Sequence, residues 1–220
     1  MININTIAFL QALEANNNRE WFSENKAKYE AARADFLTFC TQLIAQIAEF
    51  DPPIAQLQAK DCVFRINRDI RFAKDKSPYK NNMGIWLTHK GKKSNEAGYY
   101  WHLEPTGDTF LAGGVYCPAA EDLKKVRQEI DYHSAEFKSI IQHPDFVQQF
   151  GNISGNKLKK APKGYSPDHP DIELLKHTDY LAYRSLPLAL CSTPQLMSEL
   201  IAGFRAMKPL NDFINRAISE

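Results

Sequence analysis

Gly98-Tyr99-Tyr100-Trp101-His102-Leu103-Glu104-Pro105-Thr106-Gly107-Asp108-Thr109-Phe110-Leu111-Ala112-Gly113-Gly114-Val115-Tyr116 carries the period-two pattern that sets the fold class. Tyr99, Trp101 and Leu103 alternate with Tyr100, His102 and Glu104. A strand over 98–104 therefore sends the first trio to one face and the second to the other. Pro105-Thr106-Gly107-Asp108 is a turn signal joining that strand to another over 109–116. Upstream, 62–72 and 83–89 read as two further strands, with lysines and Ser94-Asn95-Glu96 looping to the next. Consecutive strands with short connections predict an antiparallel meander, one face on helices and the other open. Gly113-Gly114 inside a strand leaves room for a bulge or a close backbone approach, or for a large aromatic such as Trp86 or Trp101 to pack there.

Outward from the meander the period turns helical. Asn5 or Thr6 can cap a short helix carrying Ile7, Phe9, Leu10 and Leu13, and Asn17 with Glu20 reads as a capping box. The helix that follows places Phe22, Tyr29, Phe36, Leu43 and Phe50 seven residues apart, and Asp51-Pro52-Pro53 ends it. That stripe fits packing on the protein's own core; the competing reading is a homodimer seam. Past Pro118, Leu123, Val126, Ile130, Phe137, Ile140 and Ile141 form a second stripe, which Pro144 interrupts. Residues 151–169 read as a long surface loop, Pro170 and Thr193-Pro194 as openings of helices, and Pro209 as the start of a last one. The order helices, meander, helices predicts one α+β domain over 1–220: an antiparallel β-meander of about four strands flanked by N-terminal and C-terminal helices.

Composition narrows the class. Hydrophobic residues make up 44% and charged residues 24% of 220, as in soluble globular proteins. The longest apolar runs are too short for a membrane helix, and the first basic residue, Arg19, comes too late for a secretory signal. Cys40, Cys62, Cys117 and Cys191 make no CxxC pair, which suits free thiols in the cytoplasm. No GxGxxG, GxxxxGK[ST], GxSxG or HExxH motif is present, which disfavours standard nucleotide loops, hydrolase elbows and zincin chemistry.

A formal net charge of +1 argues against a globally basic nucleic-acid binder. It conceals segregation. Residues 60–93 hold ten basic and three acidic residues, a net of +7, and 157–163 add four lysines, which leaves −10 elsewhere. A basic patch on an acidic background draws a small anion locally while the whole repels polyanions.

The densest part is Arg65-Ile66-Asn67-Arg68-Asp69-Ile70-Arg71-Phe72-Ala73-Lys74-Asp75-Lys76-Ser77-Pro78-Tyr79-Lys80. As a strand it puts Phe64, Ile66, Ile70 and Phe72 on one side and Arg65, Asn67, Asp69 and Arg71 on the other. Arg68 falls on the apolar side, so it is either re-aimed by a bulge or buried against a carboxylate. Guanidinium forks match phosphate and carboxylate in two-point contacts. Arg65, Arg68, Arg71, Asp75, Lys76 and Lys80 are thus candidates for holding an anionic ligand, and Asp69, Tyr79 and His102 for orienting it or moving protons. His102 would be oriented by Glu104 or Asp69. A metal on His102, Glu104 and Asp69 is not expected, because i,i+2 spacing alone fixes no ligand set. The competing reading of the arginines is an internal salt-bridge lattice.

Arg65-x-x-Arg68-Asp69-x-Arg71-Phe72-x-x-Asp75-Lys76-x-x-Tyr79 resembles the signature of domain-of-unknown-function family 2461, a family of bacterial conserved hypothetical proteins. Phe9-Leu10, Arg19-Glu20-Trp21-Phe22, Gly98-Tyr99-Tyr100, Gly113-Gly114 and Lys208-Pro209-Leu210 are similar to it as well. The resemblance covers the whole chain, implies one full-length domain and marks the Arg/Asp/Lys/Tyr segment as its centre. It implies no substrate and no cofactor. Three uses stand open: recognition of a phosphate- or carboxylate-bearing ligand with or without catalysis, nucleic-acid binding by the sheet face and basic loops, and a non-catalytic interaction domain.

Overall fold

The computed structural model describes residues 1–219. Strands β1 (Met83–Leu87), β2 (Gly98–Leu103) and β3 (Phe110–Val115) form where the period-two pattern places them. With β4 (Tyr180–Ser185) they hydrogen-bond in chain order as a four-stranded antiparallel sheet. Helices α1 (Ile4–Ala15), α2 (Arg19–Glu24), α3 (Lys26–Ala48) and α4 (Ala59–Cys62) precede it in the chain. Helices α5 (Ala120–Tyr132), α6 (Ser134–Ile141), α7 (Pro144–Phe150), α8 (Ile172–Leu175) and α9 (Gln195–Ser219) come later. The class is α+β, as expected.

The strand expected over 62–72 does not form. Residues 63–67 form isolated bridges instead of a ladder, Val63 with Ile85 and Asn67 with Tyr79. The cause is local. Asp69 accepts the Arg71 amide at 3.3 Å and Asp75 accepts the Ser77 amide at 2.9 Å. Short carboxylates that bond their own backbone favour turns over ladders. The fourth strand is Tyr180–Ser185 instead, with Tyr180 and Ala182 buried.

Helix boundaries shift for equally local reasons. Asn3 rather than Asn5 or Thr6 caps α1, accepting the Asn5 amide at 2.9 Å. Asn18 rather than Asn17 caps α2, accepting the Trp21 amide at 2.9 Å. The expected continuous helix divides at Asn25, between α2 and α3. Pro209 starts no helix but lies inside α9, whose buried Phe204, Met207, Leu210, Phe213 and Ile214 carry the helix past the missing donor.

The chain groups into two compact units. The first comprises 1–87, 100–111 and 185–201. Its core holds Phe36, Leu43 and Ile47 from α3, and Phe36 and Phe39 pack on the Trp101 ring at 5.3 and 4.9 Å. The stripe of α3 is therefore spent on the protein's own core. The second unit comprises 88–99, 112–184 and the stretch from Ala202. Tyr99 packs on Phe204, and Phe137 on Phe213 and Tyr180. A Cβ at Gly113 would fall 2.1 Å from the Met207 sulfur. One at Gly114, where φ is +103°, would fall 2.0 Å from the Tyr180 carbonyl. The bare glycine surface thus receives Met207 and the β4 backbone, not a tryptophan. The loop over 151–169 is tied at its start: buried Asp179 accepts amides from Cys117 at 2.6 Å and Asn156 at 3.2 Å.

Candidate functional site

The basic segment folds as a broken hairpin. Phe64 N–H donates to the Gly84 carbonyl at 3.1 Å, Lys80 N–H to Ile66 at 2.8 Å and Arg68 N–H to Pro78 at 3.0 Å. These bonds run 63–68 antiparallel to 78–85 and throw out the loop 69–77. Asn17 pins the return arm. Its amide donates to the Tyr79 carbonyl at 2.9 Å, and its oxygen accepts the Tyr79 amide at 3.1 Å. The Tyr79 ring stacks on Phe22, centroids 3.9 Å apart. The residue expected to cap a helix therefore anchors the site segment across 62 positions.

Within the loop the charges satisfy one another. Arg71 donates to both Asp69 oxygens, at 2.9 and 2.6 Å, and holds that carboxyl below its usual range. Asp75 receives the Ser77 hydroxyl at 2.6 Å, the Ser77 amide, and the Arg68 guanidinium in an ion pair. These contacts hold it well below the ordinary carboxylate range. Arg68, half-buried, also donates to the Ser77 carbonyl at 3.2 Å. It is thus paired with a carboxylate, as one of the two expected arrangements had it, but at the surface and not in the core. Lys76 donates to the Ile70 carbonyl at 3.0 Å. Ile70 and Phe72 do not share a buried face with Ile66: Phe72 is 95% exposed.

A cleft of about 390 Å³ opens beside this loop, lined by Phe64, Arg68, Asp69, Lys80, Asn82, Gly84 and Tyr100. The Lys80 ammonium stands 5.4 Å from the Phe64 ring centroid. A neighbouring hollow of about 420 Å³ shares Arg68, Lys80 and Asn82 and adds Glu14, Asn17, Asp75, Ser77, Tyr79 and Asn81. Arg68, Asp69 and Lys80 come together in the cleft, and Asp75 and Tyr79 in the hollow. Arg65, Arg71 and Lys76 line neither.

His102 reaches the cleft through a neighbour. Alternation along β2 puts Tyr100, His102 and Glu104 on one half-buried face. The Tyr100 hydroxyl lies 2.8 Å from His102 Nδ1, and His102 Nε2 lies 3.0 Å from a Glu104 oxygen. Glu104, not Asp69, orients the imidazole, and Phe110 stacks on it at 4.8 Å. Burial, with Glu104 adding to it, pushes the Tyr100 phenol up to about 12, so it is neutral at physiological pH. A Cβ at Gly84 would sit 2.8 Å from the Tyr100 oxygen, so the missing side chain makes room for that hydroxyl. Among the described residues no group of three or more His, Cys, Asp or Glu gathers to hold a metal ion.

Asn82, Gly84, Phe64 and Tyr100 were not anticipated as lining residues. A glycine opening an apolar strand is a recognised mark of close approach, and Gly84 carried that signal. Asn82 carried none, because its place depends on the return arm of a hairpin whose bridges join distant positions. Neither the curated proteins nor the solved structures contain a match to this chain. The sequence model of one family, described as conserved hypothetical protein (DUF2461), matches residues 5–213, which include every residue of the cleft, and the chain belongs to that family.

Proposed function

We propose that this protein binds a small phosphate- or carboxylate-bearing molecule in the cleft beside Arg68. The observation that supports this is the lining itself: two cationic side chains, Arg68 and Lys80, with the Asn82 amide and the Tyr100 phenol as further hydrogen-bonding groups. A volume of about 390 Å³ lies within the range of small-ligand sites. Arg68 is already partnered by Asp75 and the Ser77 carbonyl, so an arriving anion would compete for a guanidinium that the fold holds in place. Asp69 adds an ionised acceptor to the same wall. An anionic head on the cations together with a hydroxyl or amino group on Asp69 describes a hydroxy acid, an amino acid or a phosphorylated alcohol.

The test is a calorimetric titration at neutral pH with inorganic phosphate and, separately, malate. Both probes should bind the wild type, and Lys80→Ala should weaken each about tenfold, the loss of one charge-assisted hydrogen bond. Equal affinities for wild type and Lys80→Ala would exclude this cleft as the site.

A further inference from the structure

We propose that Tyr100 donates a proton to the anion bound in this cleft, with His102 and Glu104 supplying that proton from behind. The inference rests on the anion-binding reading above and adds the chemistry performed on the ligand. The substrate class is an anion whose own oxygen must be protonated, such as a phosphate ester or a carboxylate next to a carbonyl.

The geometry assigns the roles in order. An ionised carboxylate only accepts, so Glu104 fixes the hydrogen of His102 on Nε2, 3.0 Å away. Nδ1 is then the variable atom, and it faces the Tyr100 hydroxyl at 2.8 Å. With the imidazole neutral, the Tyr100 O–H turns back to Nδ1 and presents only lone pairs to the cleft. With the imidazole protonated, Nδ1–H donates to the phenolic oxygen and the O–H swings toward the ligand. In the transfer, the Tyr100 O–H bond breaks and its proton joins a ligand oxygen. The Nδ1 proton passes to the phenolic oxygen, imidazolium becomes imidazole, and solvent returns a proton to Nδ1. This is the arrangement of a proton-carrying group, a base behind it and a carboxylate that orients the base. Tyr100 touches the ligand; His102 and Glu104 are positioning residues.

Aromatic rings enclose the relay, and the charged groups of the cleft stand beside it. Tyr100 is met by the rings of Phe64, Trp86 and Phe110, and it shares the cleft with Arg68, Asp69 and Lys80. His102 is covered by Phe110 and flanked by Tyr100 and Glu104. Arg71 holds the Asp69 carboxyl below its usual range. Imidazole is the side chain that changes charge between about pH 5 and 8.

Sulfate, whose charge is constant over that range, is the probe. Calorimetric titrations from about pH 5.5 to 8.5 should show wild-type affinity about tenfold higher at the acid end, one added charge-assisted hydrogen bond. Tyr100→Phe and His102→Gln should still bind sulfate through Arg68 and Lys80, with a flat pH profile, and circular dichroism confirms that each is folded. A Tyr100→Phe protein that keeps the full pH dependence would show that imidazolium charge alone acts, and would overturn the relay. A wild type that binds without pH dependence would also overturn it. Sulfate failing to bind at every pH would instead remove the anion site itself, and the relay with it.

Discussion

Residues 65–80 and 157–163 are both rich in cations, yet they hold them differently. In the first, Arg71 is clasped by Asp69, Arg68 by Asp75 and the Ser77 carbonyl, and Lys76 by the Ile70 carbonyl. The segment is bolted to Asn17 through both backbone groups of Tyr79. In the second, Lys159, Lys160 and Lys163 surround a hollow of about 540 Å³ on an irregular loop, and among the described residues they make no ion pair. Lys157 and Lys176 nearby have a carboxylate, Glu173, at 3.8 and 2.6 Å. The difference separates charge from recognition. Cations held in place, beside an acceptor such as Asp69, can select one shape of anion; loose lysines attract any polyanion and lose it as salt rises.

The sharpest way to break that distinction is to remove each set of cations in turn. Arg68→Ala should lower phosphate affinity by roughly ten- to a hundredfold, the loss of a bidentate charged contact. A triple Lys159→Ala, Lys160→Ala, Lys163→Ala protein should bind phosphate as the wild type does. Calorimetry that found the reverse would move the site to the lysine loop.

A smaller effect concerns how the first segment is held. Asn17→Ala removes two hydrogen bonds and leaves a half-buried amide and carbonyl of Tyr79 unmet. It should destabilise the protein by about 1–3 kcal/mol in urea unfolding. An unchanged midpoint would mean that Phe22 stacking alone fixes the arm.

Acid should distinguish the stretches more gently. Asp69 and Asp75 have depressed folded-state pKa values, so their pairing contributes above the ordinary carboxylate value near 4 and is lost only as pH falls further below it. The Ser77 amide resonance should therefore hold steady from pH 7 through 4 and move only in more acid solution, while amides of 157–163 show no such step. Movement of Ser77 centred on pH 4 would mean the carboxylates are unpaired. Smallest of all, Arg71→Ala should leave the melting temperature unchanged, because both partners are solvent-exposed and such pairs contribute little.

The meander was legible because alternation and a Pro-Thr-Gly-Asp turn are short-range signals, and β1, β2 and β3 fall on them. Alternation also placed His102 and Glu104 on one face with Tyr100. The failures share a cause. Asp69 and Asp75 turn the chain back on itself, a local competition that an alternating pattern over 62–72 cannot reveal. β4 takes its place beside β3, a partner far away in sequence, and Pro209 is overridden by the buried face of α9. In the same way Asn17 reads as a cap by its spacing to Glu20, while its real partner, Tyr79, is visible only once the hairpin has formed. Of the candidate site, the residue types were readable but not their pairing. Whether an arginine faces a ligand or its own neighbour depends on a loop only nine residues long.

The most direct measurement is a crystal structure of the protein grown from a sulfate-containing solution at about pH 5.5. The account predicts sulfate in the cleft, within hydrogen-bond distance of Arg68 and Lys80 and of the Tyr100 hydroxyl. A cleft holding only water, with sulfate bound at Lys159, Lys160 and Lys163 instead, would contradict it.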